Sequence, residues 1–240
     1  MNGRRSVLQI NDLKVQYGDF ISVTSCSLHV APGQIFALIG TNGAGKSSLL
    51  NAAAGLIRPV SGSVVFQSED ITGLRADQVI SRGLCLVPQG GRCFSRMSVQ
   101  DNLLVGSYPK AARAGARDSL ERVYSLFPDL RVKRNAPAGS LSGGQRQMVA
   151  IGRALMSRPR CLMFDEISLG LAPVVIRDLY KCIRRINRED GTTVILVEQD
   201  TGRALRIADS FAVMLKGTVT MTGSAEDPDY DRINAACFGL

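Results

Sequence analysis

The chain has no tryptophan and only 5% aromatic residues, so it offers little for stacking on nucleic-acid bases. Its formal charge of +8 comes from Lys and Arg spread along the chain among acids, which argues against a dedicated nucleic-acid groove. Long apolar runs are missing too. The longest, near residues 35–39 and 194–197, fall far short of the ~20 residues that a bilayer-crossing helix needs. Residues 1–8 carry two arginines but neither an apolar stretch nor a small-residue cleavage site, so the expectation is a chain that stays where it is made. Six cysteines (Cys26, Cys85, Cys93, Cys161, Cys182, Cys237) form no CxxC pair and read as reduced structural thiols. There is one histidine, His29, in a strand-like stretch, so an imidazole is available nowhere else.

What is present is ample for a core: 240 residues at 45% hydrophobic content suit one large domain or a domain with a smaller lobe. Leu13, Val15 and Tyr17 alternate with polar residues, and residues 23–30 form a second strand-like run before Pro32-Gly33. Residues 34–39 then read as a short buried strand, followed by a glycine-rich turn and a helix over 47–56 that closes at Gly55. Residues 97–157 read as helices, with Ser98 and Asp101 fitting a capping box and Met148, Ile151, Leu155 and Met156 sharing one face. Strands are predicted at 161–164, 193–197 and 211–215, with a helix over 173–188. This βα order implies a mainly parallel α/β sheet interrupted by a helical insertion.

Three segments carry chemistry. Gly40-Thr41-Asn42-Gly43-Ala44-Gly45-Lys46-Ser47 is a P-loop between an apolar strand and a helix. Its glycines let backbone N–H groups curl around phosphate oxygens, Lys46 neutralises β/γ charge, and Ser47 can coordinate Mg²⁺. The strand ending Asp165-Glu166 delivers two carboxylates where α/β sheets put their ligands; Asp165 would hold the Mg²⁺ shell and Glu166 would act as general base on the attacking water. Leu141-Ser142-Gly143-Gly144-Gln145 precedes an amphipathic helix and forms a second anion-seeking helix end. Two such ends with one P-loop imply a head-to-tail pair of subunits, each capping the other's nucleotide.

The order P-loop, LSGGQ, acidic strand end resembles that of ABC transporter ATPases over nearly the whole chain. Residues 42–50, 141–159, 168–173 and 197–199 look more narrowly like the shorter ATPase of bacterial branched-chain amino acid importers. The resemblance implies a P-loop NTPase (RecA-like) core with an N-terminal antiparallel β-subdomain over 1–94 and 158–240, and a helical signature subdomain over 95–157, together one ABC ATPase domain. It implies ATP and Mg²⁺ as cofactors, with Ser48 adding to the phosphate loop. Tyr17 would stack on adenine, Gln89 would link the Mg²⁺ site to transmembrane subunits, and Ser142 with Gly144 would touch the opposite γ-phosphate.

The implied partners are a second ATPase subunit, identical or different, the permease subunits that hold the chain at the cytoplasmic face of the membrane, and, indirectly, a substrate-binding protein. Three positions depart from the wider family: Gln199 stands where a switch histidine is usual, Gly170 replaces an aspartate, and Ile167 replaces a proline. An amide at 199 can donate a hydrogen bond but brings no positive charge. Urea or short amides remain alternative cargo. A non-transport ABC ATPase would need a tandem cassette or coiled-coil insertion, and neither is present. A P-loop GTPase would need a guanine-selecting Asn-Lys-x-Asp, which is also missing.

Overall fold

The computed structural model describes residues 6–239; residues 1–5 and Leu240 lie outside the described residues. In chain order the strands are β1 (Leu8–Tyr17), β2 (Phe20–Val30), β3 (Ile35–Ile39), β4 (Ser61–Phe66), β5 (Glu69–Asp70), β6 (Leu84–Val87), β7 (Cys161–Asp165), β8 (Thr193–Glu198), β9 (Ser210–Leu215) and β10 (Thr218–Ser224). The helices are α1 (Lys46–Ala53), α2 (Ala76–Ser81), α3 (Val99–Leu104), α4 (Lys110–Arg113), α5 (Ala116–Leu126), α6 (Pro128–Val132), α7 (Gly143–Leu155), α8 (Pro173–Asp190), α9 (Thr201–Leu205) and α10 (Tyr230–Phe238).

All ten strands join in the order β5-β4-β1-β2-β10-β9-β3-β8-β7-β6. The alternation seen around Leu13 and Val15 becomes the antiparallel β1–β2 ribbon, one face of which buries Leu8, Ile10, Leu13 and Val15. On the other side of β1, β4 and β5 extend the antiparallel part. The central strands run parallel: β3 pairs with β8 and β9, β8 with β7, and β7 with β6. Strands covered on both faces read as continuous apolar runs, and β3 and β7 are buried at every residue.

Two layers cover this sheet. Helices α3, α5, α7 and α8 pack one face through residues such as Leu103, Val123, Ile151 and Ile183, while α1 fills the other with Leu49, Leu50 and Ala53 against Leu38 and Met163. Helix α1 is shorter than the sequence suggested. It ends at Ala53, and Gly55 at φ 71° closes it, with the Leu56 N–H donating to the Asn51 carbonyl at 2.9 Å, a Schellman-type stop. At α3 only half of the expected box forms: Ser98 Oγ accepts from the Asp101 N–H at 3.0 Å, but the Asp101 carboxylate takes the Ser98 hydroxyl, not its backbone N–H. The complete box is at α7, where Ser142 and Gln145 cap each other. His29 is an exposed strand residue paired with Gln9. Among the described residues no helix is long and apolar enough to cross a membrane.

Candidate functional site

Four parallel strands end on one edge of the sheet, and each delivers a polar residue there: β3 leads into the P-loop, β6 to Gln89, β7 to Asp165 and Glu166, and β8 to Gln199. Open α/β sheets collect ligands at this edge. The loop after β3 is tight enough to demand glycine. A Cβ on Gly45 would lie 2.5 Å from the Ser22 carbonyl oxygen, and its φ is 102°. Gly43, at φ 79°, faces open space instead. The N–H groups of Gly43, Gly45, Lys46, Ser47 and Ser48 donate to no backbone carbonyl among the described residues, which leaves a row of donors at the positive end of α1, a fit for phosphate oxygens.

Lys46 is buried, and its Nζ donates to the carbonyls of Gly40 at 2.8 Å and Thr41 at 3.0 Å. It also lies 3.5 Å from Glu166 Oε1. Glu166 is therefore held from two sides, because Gln199 Nε2 donates to its Oε2 at 2.8 Å. Next to it, Ser47 Oγ donates to Asp165 Oδ1 at 2.8 Å. Burial pushes the Asp165 carboxyl up, and the Ser47 hydrogen bond opposes that shift. A hydroxyl, a carboxylate and the nearby Gln89 amide form an oxygen-donor set of the kind that suits a small hard cation.

Lys46, Ser47, Glu166 and Gln199 line a cavity of about 430 Å³ that Asn42, Gly43, Ala44, Gly45, Ser48 and Gln89 share with Phe20, Ser22 and Leu169. Tyr17 stands at its margin, half-exposed, with its hydroxyl 3.4 Å from Ser48 Oγ. Phe20 faces Tyr17 across the hairpin and is 66% exposed, so a second aromatic reaches the cleft that the sequence reading missed. Its signal was its place three residues after Tyr17, across a Gly-Asp turn.

The LSGGQ segment is elsewhere. Ser142 caps α7 and Gly143, Gly144 and Gln145 form its first turn, and none of them lines the P-loop cavity. Gln145 Oε1 accepts from the Ser142 N–H at 3.2 Å and from Lys133 Nζ at 3.0 Å. A Cβ on Gly144 would sit 2.7 Å from Val175 Cγ1, so α7 lies hard against α8. The loop carrying Gln89 abuts the same helix, since a Cβ on Gly91 would approach the Gln147 nitrogen to 2.8 Å.

A buried lysine in a glycine-lined loop between a parallel strand and a helix, faced by strand-end carboxylates, defines a P-loop nucleoside triphosphatase. The family model described as ABC transporter matches residues 23–168. The chain belongs to the ABC transporter family, and it is a nucleotide-binding ATPase of that family. It is 39% identical over 221 residues, covering 91% of this chain and 94% of the relative, to the high-affinity branched-chain amino acid transport ATP-binding protein BraG of Pseudomonas aeruginosa. It is 30% identical to BraF of the same organism, covering 92% and 93% of the two chains. Among solved structures, the ADP conformation of an ATP-binding cassette of an ABC transporter superposes with a TM-score of 0.80 at 26% identity, over 96% of this chain and 98% of that one.

Proposed function

We propose that this chain is one of the two ATPase subunits of an importer for branched-chain or related amino acids, and that it hydrolyses MgATP to drive partner permease subunits. The observation that supports the chemistry is the convergence of Lys46, Ser47, Glu166 and Gln199 on one cavity, with Asp165 hydrogen-bonded to Ser47 beside it. The likeness to BraG supports the cargo class. Because the chain is nearer to BraG than to BraF, we favour a heterodimer with a BraF-like partner.

In this reading the helix-end N–H groups and Lys46 bind the β- and γ-phosphates, with Lys46 exchanging its two carbonyl contacts for phosphate oxygens. Ser47, Asp165 and Gln89 would hold Mg²⁺, which would supply charge neutralisation at those phosphates. Glu166 orients the attacking water and accepts its proton as the terminal P–O bond breaks, and Gln199 holds the Glu166 carboxylate. Tyr17, with Phe20 beside it, stacks on adenine. Ser142 and the N–H groups of Gly143 and Gly144 cap the γ-phosphate bound by the other subunit, with Gln145 holding the Ser142 cap. The core comprises 1–94 and 158–240 and the signature subdomain 95–157.

Permease attachment at the membrane's cytoplasmic face is supported by a cavity of about 260 Å³ lined by Ile80, Leu86, Pro88, Val105 and Tyr108, one residue from Gln89. A substrate-binding protein acts further upstream, on the permease. The test is direct. Lys46→Ala is expected to abolish ATP turnover, and to abolish uptake of labelled leucine, isoleucine or valine in cells dependent on this chain. Hydrolysis surviving in a clean Lys46→Ala preparation refutes the P-loop assignment; uptake of urea or short amides instead refutes the cargo.

A further inference from the structure

Strand β8 ends in Val197-Glu198-Gln199, and its two outer residues both hold Glu166: the Val197 carbonyl accepts the Glu166 N–H at 3.0 Å, and Gln199 Nε2 binds its carboxylate at 2.8 Å. The residue between them points the other way. Glu198 is buried, with 2% exposure, and its Oε2 accepts from Ser168 Oγ at 2.7 Å. Three successive residues thus grip both ends of the turn Glu166-Ile167-Ser168.

That turn needs gripping. Glu166 has a φ of 45°, a left-handed conformation that is unfavourable for a non-glycine residue and persists only when its surroundings impose it. Within the turn itself the backbone offers only long bonds, from Leu169 to Glu166 at 3.3 Å and from Leu171 to Ser168 at 3.2 Å.

Glu198 is also a costly choice for a scaffold. Its Oε1 and the Tyr180 hydroxyl of α8 are both buried and lie near each other, yet neither has a close hydrogen-bond partner. Burial pushes the Glu198 carboxyl up. A carboxyl left half-satisfied in the interior works against stability, and an apolar side chain there would cost less.

We propose that Glu198 is a positioning residue for Glu166, acting through Ser168 to fix the turn that aims the Glu166 carboxylate into the P-loop cavity. The inference rests on the reading of Glu166 as the group that orients the attacking water. Loss of the Glu198–Ser168 bond frees the turn, and a misplacement on the order of 1 Å lowers the chemical step about a hundredfold at most without touching the phosphate cradle.

Steady-state ATPase assays on the purified full-length chain with MgATP test this. Glu198→Ala is expected to lower kcat roughly tenfold to a hundredfold, with KM for ATP held within about twofold. Ser168→Ala is expected to match it, and the double variant to be no worse than the weaker single, since both remove one bond. Glu198→Gln keeps an acceptor for Ser168 and is expected to recover kcat to within about threefold of the parent.

Folded Glu198→Ala or Ser168→Ala with unchanged kcat overturns the inference, as do effects that multiply in the double variant or a rise in KM alone. Should Glu198→Ala fail to fold, Ser168→Ala and Glu198→Gln carry the same test. Glu166→Gln in the same assay separates the two readings: if it stops turnover while Ser168→Ala does not slow it, only the positioning inference falls. Persistent turnover in Glu166→Gln removes the Glu166 reading and this inference with it.

Discussion

At Gln199 a neutral amide, and not an imidazole, reaches the Glu166 carboxylate at 2.8 Å. An amide N–H stabilises developing charge less than a cationic donor does. Gln199→His is therefore expected to raise kcat severalfold, with KM little changed, in steady-state ATPase assays; a fall in kcat with native melting would show that the Gln199 amide is itself the better donor. Glu198 supplies a second residue-level expectation. Burial raises its folded pKa above the ordinary 4.5 and the Glu166 charge adds to this, against the opposing pull of Ser168 and Tyr180, so the folded chain holds this proton more tightly than the unfolded chain. The proton's contribution is complete below pH 4.5 and is lost as pH rises through the folded pKa. Glu198→Gln should melt higher than the parent near neutral pH, and the difference should shrink as the pH falls toward 4.5; thermal melts across pH read this, and a constant difference counts against it.

The residue types at the site were legible because phosphate chemistry fixes their spacing: Gly43, Gly45, Lys46 and Ser47 must sit on consecutive turns of one loop and helix. Phe20 and Glu198 were not legible, since a hairpin register brings the first to the cleft and a strand end turns the second inward.

Elements were read best where one period dominates. β3, β7 and β8 came from short apolar runs, and α8 from a long amphipathic one. Strands β4, β5, β6 and β10 were not singled out, because they are short or half-exposed and gain their place through pairing, β4 with β1, β5 with β4, β6 with β7 and β10 with β9. The capping box assigned to Ser98 belongs to Ser142, where a longer Gln145 side chain can reach back to the cap N–H and an aspartate cannot. Ser142→Ala removes that cap. It should cost about 1 kcal/mol in urea unfolding and slow turnover by more than this loss of stability explains, because the same hydroxyl is assigned to the partner's γ-phosphate. Loss of stability with normal turnover would confine Ser142 to capping.

For the whole molecule the decisive feature is a separation. The P-loop cavity and the LSGGQ helix end share no lining residue within one chain, yet both present unsatisfied N–H groups suited to phosphate. The close approach of α7 to α8 and to the Gln89 loop joins these two parts of the chain by direct contact. Two chains arranged head to tail would satisfy both ends on one triphosphate. The most direct measurement is sedimentation of the Glu166→Gln chain with saturating MgATP, alone and with the second ATPase of its transporter. A species of two chains that dissociates when nucleotide is removed is the predicted result, and a monomer with ATP bound under both conditions would contradict it.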